Sequence, residues 1–460
     1  MDIDFGPLMT ALERSVEAGA DEAEAYFERT GGVSVKVFKR AVEKFTFSGA
    51  MGIGIRVFSH GRSGRSYTSD LSEGAVAEAA RAAVESAGAS PEDPHRALPA
   101  PGQFPDGSPG GGNMGGELGI WGEDLGEVPA GEKIGLALGL ERLALEYDPR
   151  VTGVETAAYA ESVDQVALAN TRGFTAGYRS SVCYGYLMAI AEQNGESQTG
   201  FGFTAGRSLG ALDAAAAAGE AASMAVDLLG ARQVETARVP VLFDNLSTAE
   251  LLAVLGDALS GESVVKGRSF LAGKLGETIA SERVSVHDDG LMKAGFGTAP
   301  FDGEGVATSR KALVESGVLT AFLHNCYTGS RTGAGSTGNA GRQSFRSQVG
   351  VSPSNIFMGP GAATPDELRS GMERGFEVRE LQGVHIGLNP VTGEVSIGAK
   401  GRWIERGRPA HAVREVTLAG TFSDILEGIT GVGSDLRFTP LLGGIGAPSI
   451  LVEGLTVGGK

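Results

Sequence analysis

The chain of 460 residues carries 72 glycines, roughly twice the ~7% of average usage, and they follow no collagen period. Glycine inside a helix or strand costs about 0.5–1 kcal/mol relative to alanine, but it alone tolerates positive φ and close backbone approach. So many of them, scattered, ask for tight turns, bulges and strands packed backbone against backbone. The expectation is a sheet-rich architecture.

Hydrophobic periodicity agrees. Val33-Ser34-Val35-Lys36-Val37 alternates with the period of two of a half-buried strand, and Met51 to Phe58 (MGIGIRVF) again puts its apolar residues on one face. The following SHGRSGRS has the composition of a turn carrying Arg62 and Arg65. Helical patterns occupy Leu8 to Ala18, Glu73 to Ser86 and Gly131 to Tyr147, and Ala89 to Gly116 is a Pro/Gly-rich surface loop. Strand-like runs recur from Val154 to Phe203, and the alanine-rich helix Leu212 to Leu229 stops at Gly230. After VPVLFD, Ser247-Thr248-Ala249-Glu250 has the form of a capping box for a helix that ends at Gly261. A second box, Thr364-Pro365-Asp366-Glu367, opens a helix that Gly375 closes.

A single hydrophobic core stops growing near ~250 to 300 residues, so two domains are expected. With the boundary between Ala231 and Arg238, they are an N-terminal α/β domain, 1–232, and a Gly-rich, sheet-rich C-terminal domain, 233–460. The fold class is α+β, each domain holding a mostly antiparallel or mixed sheet packed with helices.

Fifty-six acidic against 39 basic residues leave a net charge of −17, which repels phosphate backbones and anionic membranes and excludes a nucleic-acid partner. Two cysteines, Cys183 and Cys326, are too few for a disulfide framework and lack Cys-x-x-Cys spacing. The first residues, MDIDFGPLMTALERSVEAG, lack the basic start and apolar core of a secretory signal, and Phe438 to Val452 is too short and Gly-rich to span a bilayer. A cytoplasmic location is expected.

Several short patterns bear on chemistry. Gly333-Ala334-Gly335-Ser336-Thr337-Gly338 has dinucleotide-fingerprint spacing, but a helix-forming continuation and a later acidic partner are missing, so a Gly-rich turn is the better reading. Gly267 to Lys274 (GRSFLAGK) fails as a phosphate loop because its glycines are one residue too far apart and Leu275 replaces the magnesium-holding hydroxyl. His287-Asp288-Asp289 with Asp302 and Glu304 offers donors for a divalent ion, yet neighbours in a strand point to opposite faces, and an acidic turn accounts for them. His324 and Cys326 stand two apart and could share a strand face, without an evident carboxylate to orient the imidazole. The six histidines, at 60, 95, 287, 324, 385 and 411, never fall within one helical turn of each other.

Longer strings carry a resemblance: SFLAGKLGE (269–277), APFDGEGVATSRKALVESGVLTAFLHN (299–325), STGNAGR (336–342), REVTLAGTFSDIL (414–426) and the closing GAPSILVEGLTVGG. With the N-terminal VEKFTFSGAMGIGIRVFSHGRSGRSYTSDLS, they resemble the TldD/TldE (PmbA) metallopeptidase family over nearly the whole chain, on the TldE side. In that family a TldD subunit carries a His-Glu-x-x-x-His helix and a later cysteine that hold zinc. Here the corresponding helix, LSTAELLAVLGDALSG, has no histidine and the tail LRFTPLLGGIGA no cysteine. The resemblance therefore implies a subunit with no metal of its own and no catalytic residues. Its zinc-bearing, TldD-like partner completes a heterodimeric peptidase for peptide or unfolded-protein substrates. Ser336, Thr337, Asn339 and Arg342 are the candidate cleft or interface residues, polar groups on a glycine-flanked turn. The alternatives are a homodimeric peptide-binding protein and an autonomous hydrolase built on Cys326 with His324 or on the acidic set.

Overall fold

The computed structural model describes residues 3–106, 112–122, 125–440 and 443–460. Residues 107–111 of the Pro/Gly-rich segment and 441–442 of the tail lie outside the described residues.

The N-terminal half is built on one sheet of long antiparallel strands. In spatial order these are Arg62–Thr68, Ala41–Ser59, Glu22–Phe38, Val151–Asn170, Thr175–Gln193 and Glu196–Gly206. The two-residue strand Gly112–Asn113 adds in parallel against Ala176–Gly177. Four helices cover one face. Gly6–Glu17 and Glu73–Gly88 lie over Ala23, Ala25, Phe27, Ile53 and Ile55, while Ala130–Tyr147 and Ala214–Asp227 lie over Val33, Val35, Tyr159 and Leu187. The strand alternation thus reports helix contact, and all of these residues share odd numbering along unbroken stretches of their strands.

The glycine excess has a concrete cause at this layer. A Cβ at Gly64 would stand 2.1 Å from the Ala83 carbonyl oxygen, and one at Gly202 would stand 2.1 Å from that of Ala217. Alanine-rich helices lie directly on glycine-bearing strands, so the residue pairing sets an interlayer spacing that larger side chains would not permit.

Besides a two-stranded pairing of Ala340–Gly341 with Gly350–Val351, the C-terminal half contains two six-stranded sheets. Strands Arg408–Thr421, Glu394–Glu405, Arg374–Gln382, Ala237–Phe243 and Ile450–Gly458 follow one another, and Thr417–Ala419 also pairs with Thr456–Gly458, closing the five into a small barrel. Ile429–Val432 joins its edge at Ile450–Gly458. The second sheet runs Val318–Leu319, Arg310–Glu315, Val286–Asp289, Ile356–Met358, Ile445–Ala447, Arg437–Thr439. A continuous core including Phe243, Leu252, Leu255, Val286, Ile356 and Phe376 joins both sheets to the helix Asn245–Ala258.

The chain is α+β with mixed sheets, as expected, and the differences are local. Asp244, not Ser247, caps the helix Asn245–Ala258, accepting from Ser247 N at 2.8 Å, while Ser247 is buried inside the first turn. A separate short helix, Gly261–Val265, follows. The Thr364 box forms with Glu367, but its helix ends at Ser370, and Gly375 lies in the next strand. Arg62 and Arg65 belong to a strand, the turn being confined to His60-Gly61. No described helix is long and apolar enough to cross a membrane.

Candidate functional site

The helix-free face of the N-terminal sheet docks on the C-terminal domain. Its even-numbered residues Glu24, Tyr26, Glu28, Gly52, Gly54 and Arg56 meet the segment Arg342 to Gln348 and the loop around Glu304. Glycine is required at this contact. A Cβ at Gly54 would come within 2.1 Å of the Phe345 carbonyl oxygen, and one at Gly52 within 2.3 Å of the Phe345 ring. A mixed apolar cluster of Tyr26, Leu168, Phe174, Phe301 and Phe345 seals the junction.

Beside that cluster lies a chain of alternating charges. Arg56 is a forked donor, to Glu24 Oε2 at 2.9 Å and to Glu304 Oε1 at 2.7 Å. Arg342 pairs with the other Glu24 oxygen, donates to the Gly303 carbonyl at 2.7 Å and lies 4.7 Å from the Tyr26 ring centroid. Glu28 accepts from Phe345 N at 2.9 Å. Glu24 and Glu304 are each 1% exposed; carboxylates that deep are tolerated only when paired.

Glu304 also accepts from Cys326 N at 2.8 Å and from the Cys326 thiol. Burial works against its charge, but Arg56 and these donors outweigh it and hold the carboxyl below its ordinary range. Neighbouring Asp302 moves the other way: burial and the Glu304 charge raise it, while the backbone N–H groups of Glu304, Val306 and Ala340 hydrogen-bond to it. Burial, reinforced by the Glu304 and Asp302 charges, pushes the Cys326 thiol far up. A thiol so held stays protonated, which is the opposite of nucleophile activation. Nor does it face an imidazole across a strand. Cys326 begins the helix Cys326–Thr332, and buried His324, its basicity lowered by burial, has Nδ1 3.2 Å from Thr328 Oγ1.

Between the N- and C-terminal halves this network borders a cavity of about 690 Å³, lined among others by Arg56, Arg65, Arg96, Glu304, Arg342 and Arg346. Of the four residues singled out on the glycine-flanked turn, Arg342 lines it. Ser336, Thr337 and Asn339 instead fasten the turn. Thr337 Oγ1 accepts from His324 N at 2.7 Å, and Ser336 Oγ accepts from Gly338 N at 3.2 Å. Asn339, 2% exposed, donates to Asp288 at 2.7 Å and accepts from Lys311 at 2.9 Å. The Gly333–Gly338 pattern is a Gly-rich turn, with Gly333, Gly335 and Gly338 all at positive φ. Asp288 serves the same fastening and is wholly buried. Among the described residues no three His, Cys, Asp or Glu side chains gather so as to hold a metal ion.

Glu24, Glu28, Arg56, Arg65 and Arg346 were not legible as site residues. One signal was available: in MGIGIRVF the face opposite the isoleucines reads Gly52, Gly54, Arg56, two absent side chains and a charge, which no solvent face needs.

Comparison with known proteins matches residues 236–459 to the PmbA/TldA metallopeptidase C-terminal domain, 123–229 to its central domain and 23–87 to its domain 1. The chain is 30% identical over 429 residues to the metalloprotease PmbA of Escherichia coli O157:H7, covering 93% of this chain and 90% of that one. It is 28% identical to the PmbA homolog of Haemophilus influenzae, covering 98% and 95%. Among solved structures, a Thermotoga maritima protein proposed to modulate DNA gyrase superposes with TM-score 0.88 at 28% identity, covering 97% of this chain and 98% of that one. TldE of Thermococcus kodakarensis superposes with TM-score 0.89 at 22% identity, covering 99% and 100%, a likeness of fold. The chain belongs to the PmbA/TldD metallopeptidase family.

Proposed function

We propose that this chain is the TldE/PmbA-like subunit of a two-subunit metallopeptidase. It contributes a substrate-binding wall, and a TldD-like partner contributes the zinc. The observation that carries this reading is the donor set. A catalytic zinc needs three protein ligands and an open position for water, and no group of three candidate ligands exists among the described residues. The helix Asn245–Ala258, where the resemblance puts a relative's metal-binding motif, turns Leu251, Leu252 and Leu255 into the core. The residues do not fit a zinc ion, and no catalytic step is assigned to this chain.

The cavity supports a role in holding substrate: about 690 Å³ lies within the ~300–1,000 Å³ of ordinary ligand sites. The raised Cys326 thiol disfavours an autonomous thiol hydrolase. The test is metal content and peptide cleavage of the purified chain, alone and mixed with a zinc-bearing family member from the same organism. The subunit reading expects no bound zinc and no cleavage alone, and chelator-sensitive cleavage with the partner. Stoichiometric zinc and activity in the single chain would overturn it.

A further inference from the structure

Two guanidinium groups at the interdomain cavity, Arg65 and Arg346, have no carboxylate partner among the described residues. The other cations there are answered: Arg56 and Arg342 by Glu24 and Glu304, Lys266 by Glu262, and Arg96 by Asp93 at 3.6 Å.

Arg65 stands directly opposite Arg56 in the register of Ala41–Ser59 with Arg62–Thr68. Like charges facing each other across an antiparallel pair are destabilising, and the carboxylates near Arg56 are already engaged with it. Arg346 is pre-positioned. Its guanidinium lies 5.0 Å from the Phe345 ring centroid and 5.7 Å from that of Tyr67, and it reaches Ser69 Oγ at 3.4 Å. Stacking on ring faces leaves the in-plane N–H donors of the fork open to a carboxylate. Neutral donors, Ser63 and Gln348, line the same cavity, and Tyr67, Val265 and Val349 give it apolar wall.

From this geometry we infer that the cavity binds an acidic peptide segment whose carboxylate bridges Arg65 and Arg346. The inference rests on the peptide-binding reading above for the nature of the ligand, and on the two unanswered guanidiniums for its charge. The volume and the apolar wall exceed what a lone anion would use. The preference also runs against the whole-molecule charge of −17, which favours basic peptides everywhere else, so selectivity for acidic ones must come from a local site.

The experiment titrates the full chain with two fluorescein-labelled short peptides that differ only in glutamate against glutamine. Low and high salt are compared, with wild type and with R65Q/R346Q, whose folding is checked by its thermal melt. The expected result is about tenfold tighter binding of the glutamate peptide, equivalent to about 1.4 kcal/mol. This preference should shrink in high salt and vanish in R65Q/R346Q. Equal binding of the two peptides to wild type, or a preference that survives the double substitution, overturns the inference and leaves peptide binding intact. Binding of neither peptide defeats the peptide-binding reading itself and this inference with it. Millimolar inorganic phosphate that fully displaces the glutamate peptide, where chloride at equal ionic strength does not, marks a simple anion site and also overturns it.

Discussion

Arg56 holds two buried carboxylates, and the consequence is asymmetric. The arginine side chain is 19% exposed while both partners are 1% exposed, so its removal strands charge in a region that water barely reaches. Removing one member of such a buried set costs about 3–5 kcal/mol, more than the set contributes over an apolar replacement. Arg56→Met should therefore lower stability by about that amount in chemical denaturation. A loss under about 1 kcal/mol would mean that water enters the junction and solvates Glu24 and Glu304. Burial, and with it the charges of Glu304 and Asp302, governs Cys326. With its thiol pushed far up, native protein at mildly alkaline pH should react with Ellman's reagent far more slowly than the denatured chain, and a fast native phase would contradict the burial described. None of this grouping was visible along the chain, because the Arg56–Glu304 and Arg342–Glu24 pairs join residues 248 and 318 positions apart. Sequence spacing reports what shares a helix or strand face and is silent on what two domains bring together.

Elements were more legible than contacts, for a physical reason. A strand with one face against helices must alternate, so Val33 to Val37 announced itself, and the Thr364 N-cap box did likewise, although its helix ends before Gly375. The helix expected to start at a Ser247 cap is instead capped by Asp244, because the preceding strand ends at Phe243. Once the chain leaves the sheet there, Asp244 is the first residue free to cap. That helix also carries Glu250, raised to about 7 by burial and by the charges of Asp244 and Glu380. A carboxyl raised in the folded state binds more protons folded than unfolded between its ordinary value and about 7. Its contribution to stability therefore falls as pH rises through that window. Glu250→Gln should gain about 1–2 kcal/mol over wild type at pH ~8 and nothing at pH ~4, read as the difference between paired urea titrations. A gain that does not depend on pH would show that packing, not charge, sets the effect.

At the scale of the molecule, the two halves carry their own cores: two helix-covered clusters on one face of the N-terminal sheet, and a larger one around the C-terminal sheets. Among the described residues, the apolar cluster that draws on both halves is the small one of Tyr26, Val166, Leu168, Phe174 and Ala176 with Phe301 and Phe345. Its centre is Phe301, 1% exposed, edge-on to Phe174 at 5.0 Å and to Tyr178 at 5.3 Å. Polar pairing around it fixes orientation but contributes little net free energy, because each buried ion has already lost its hydration. Thermodynamic coupling between the halves should then run mainly through these rings. Phe301→Ala removes a buried aromatic, a loss of about 3–5 kcal/mol, and takes it from the junction without touching either main core. Calorimetry should show wild type unfolding in one transition. The variant should split into two, with the transition of the half less stable alone moving down and the other nearly unmoved. A single transition displaced as a whole would show that the charged network and the Gly52–Gly54 contact suffice to couple the halves. The cavity walls would then be held in place from the polar side.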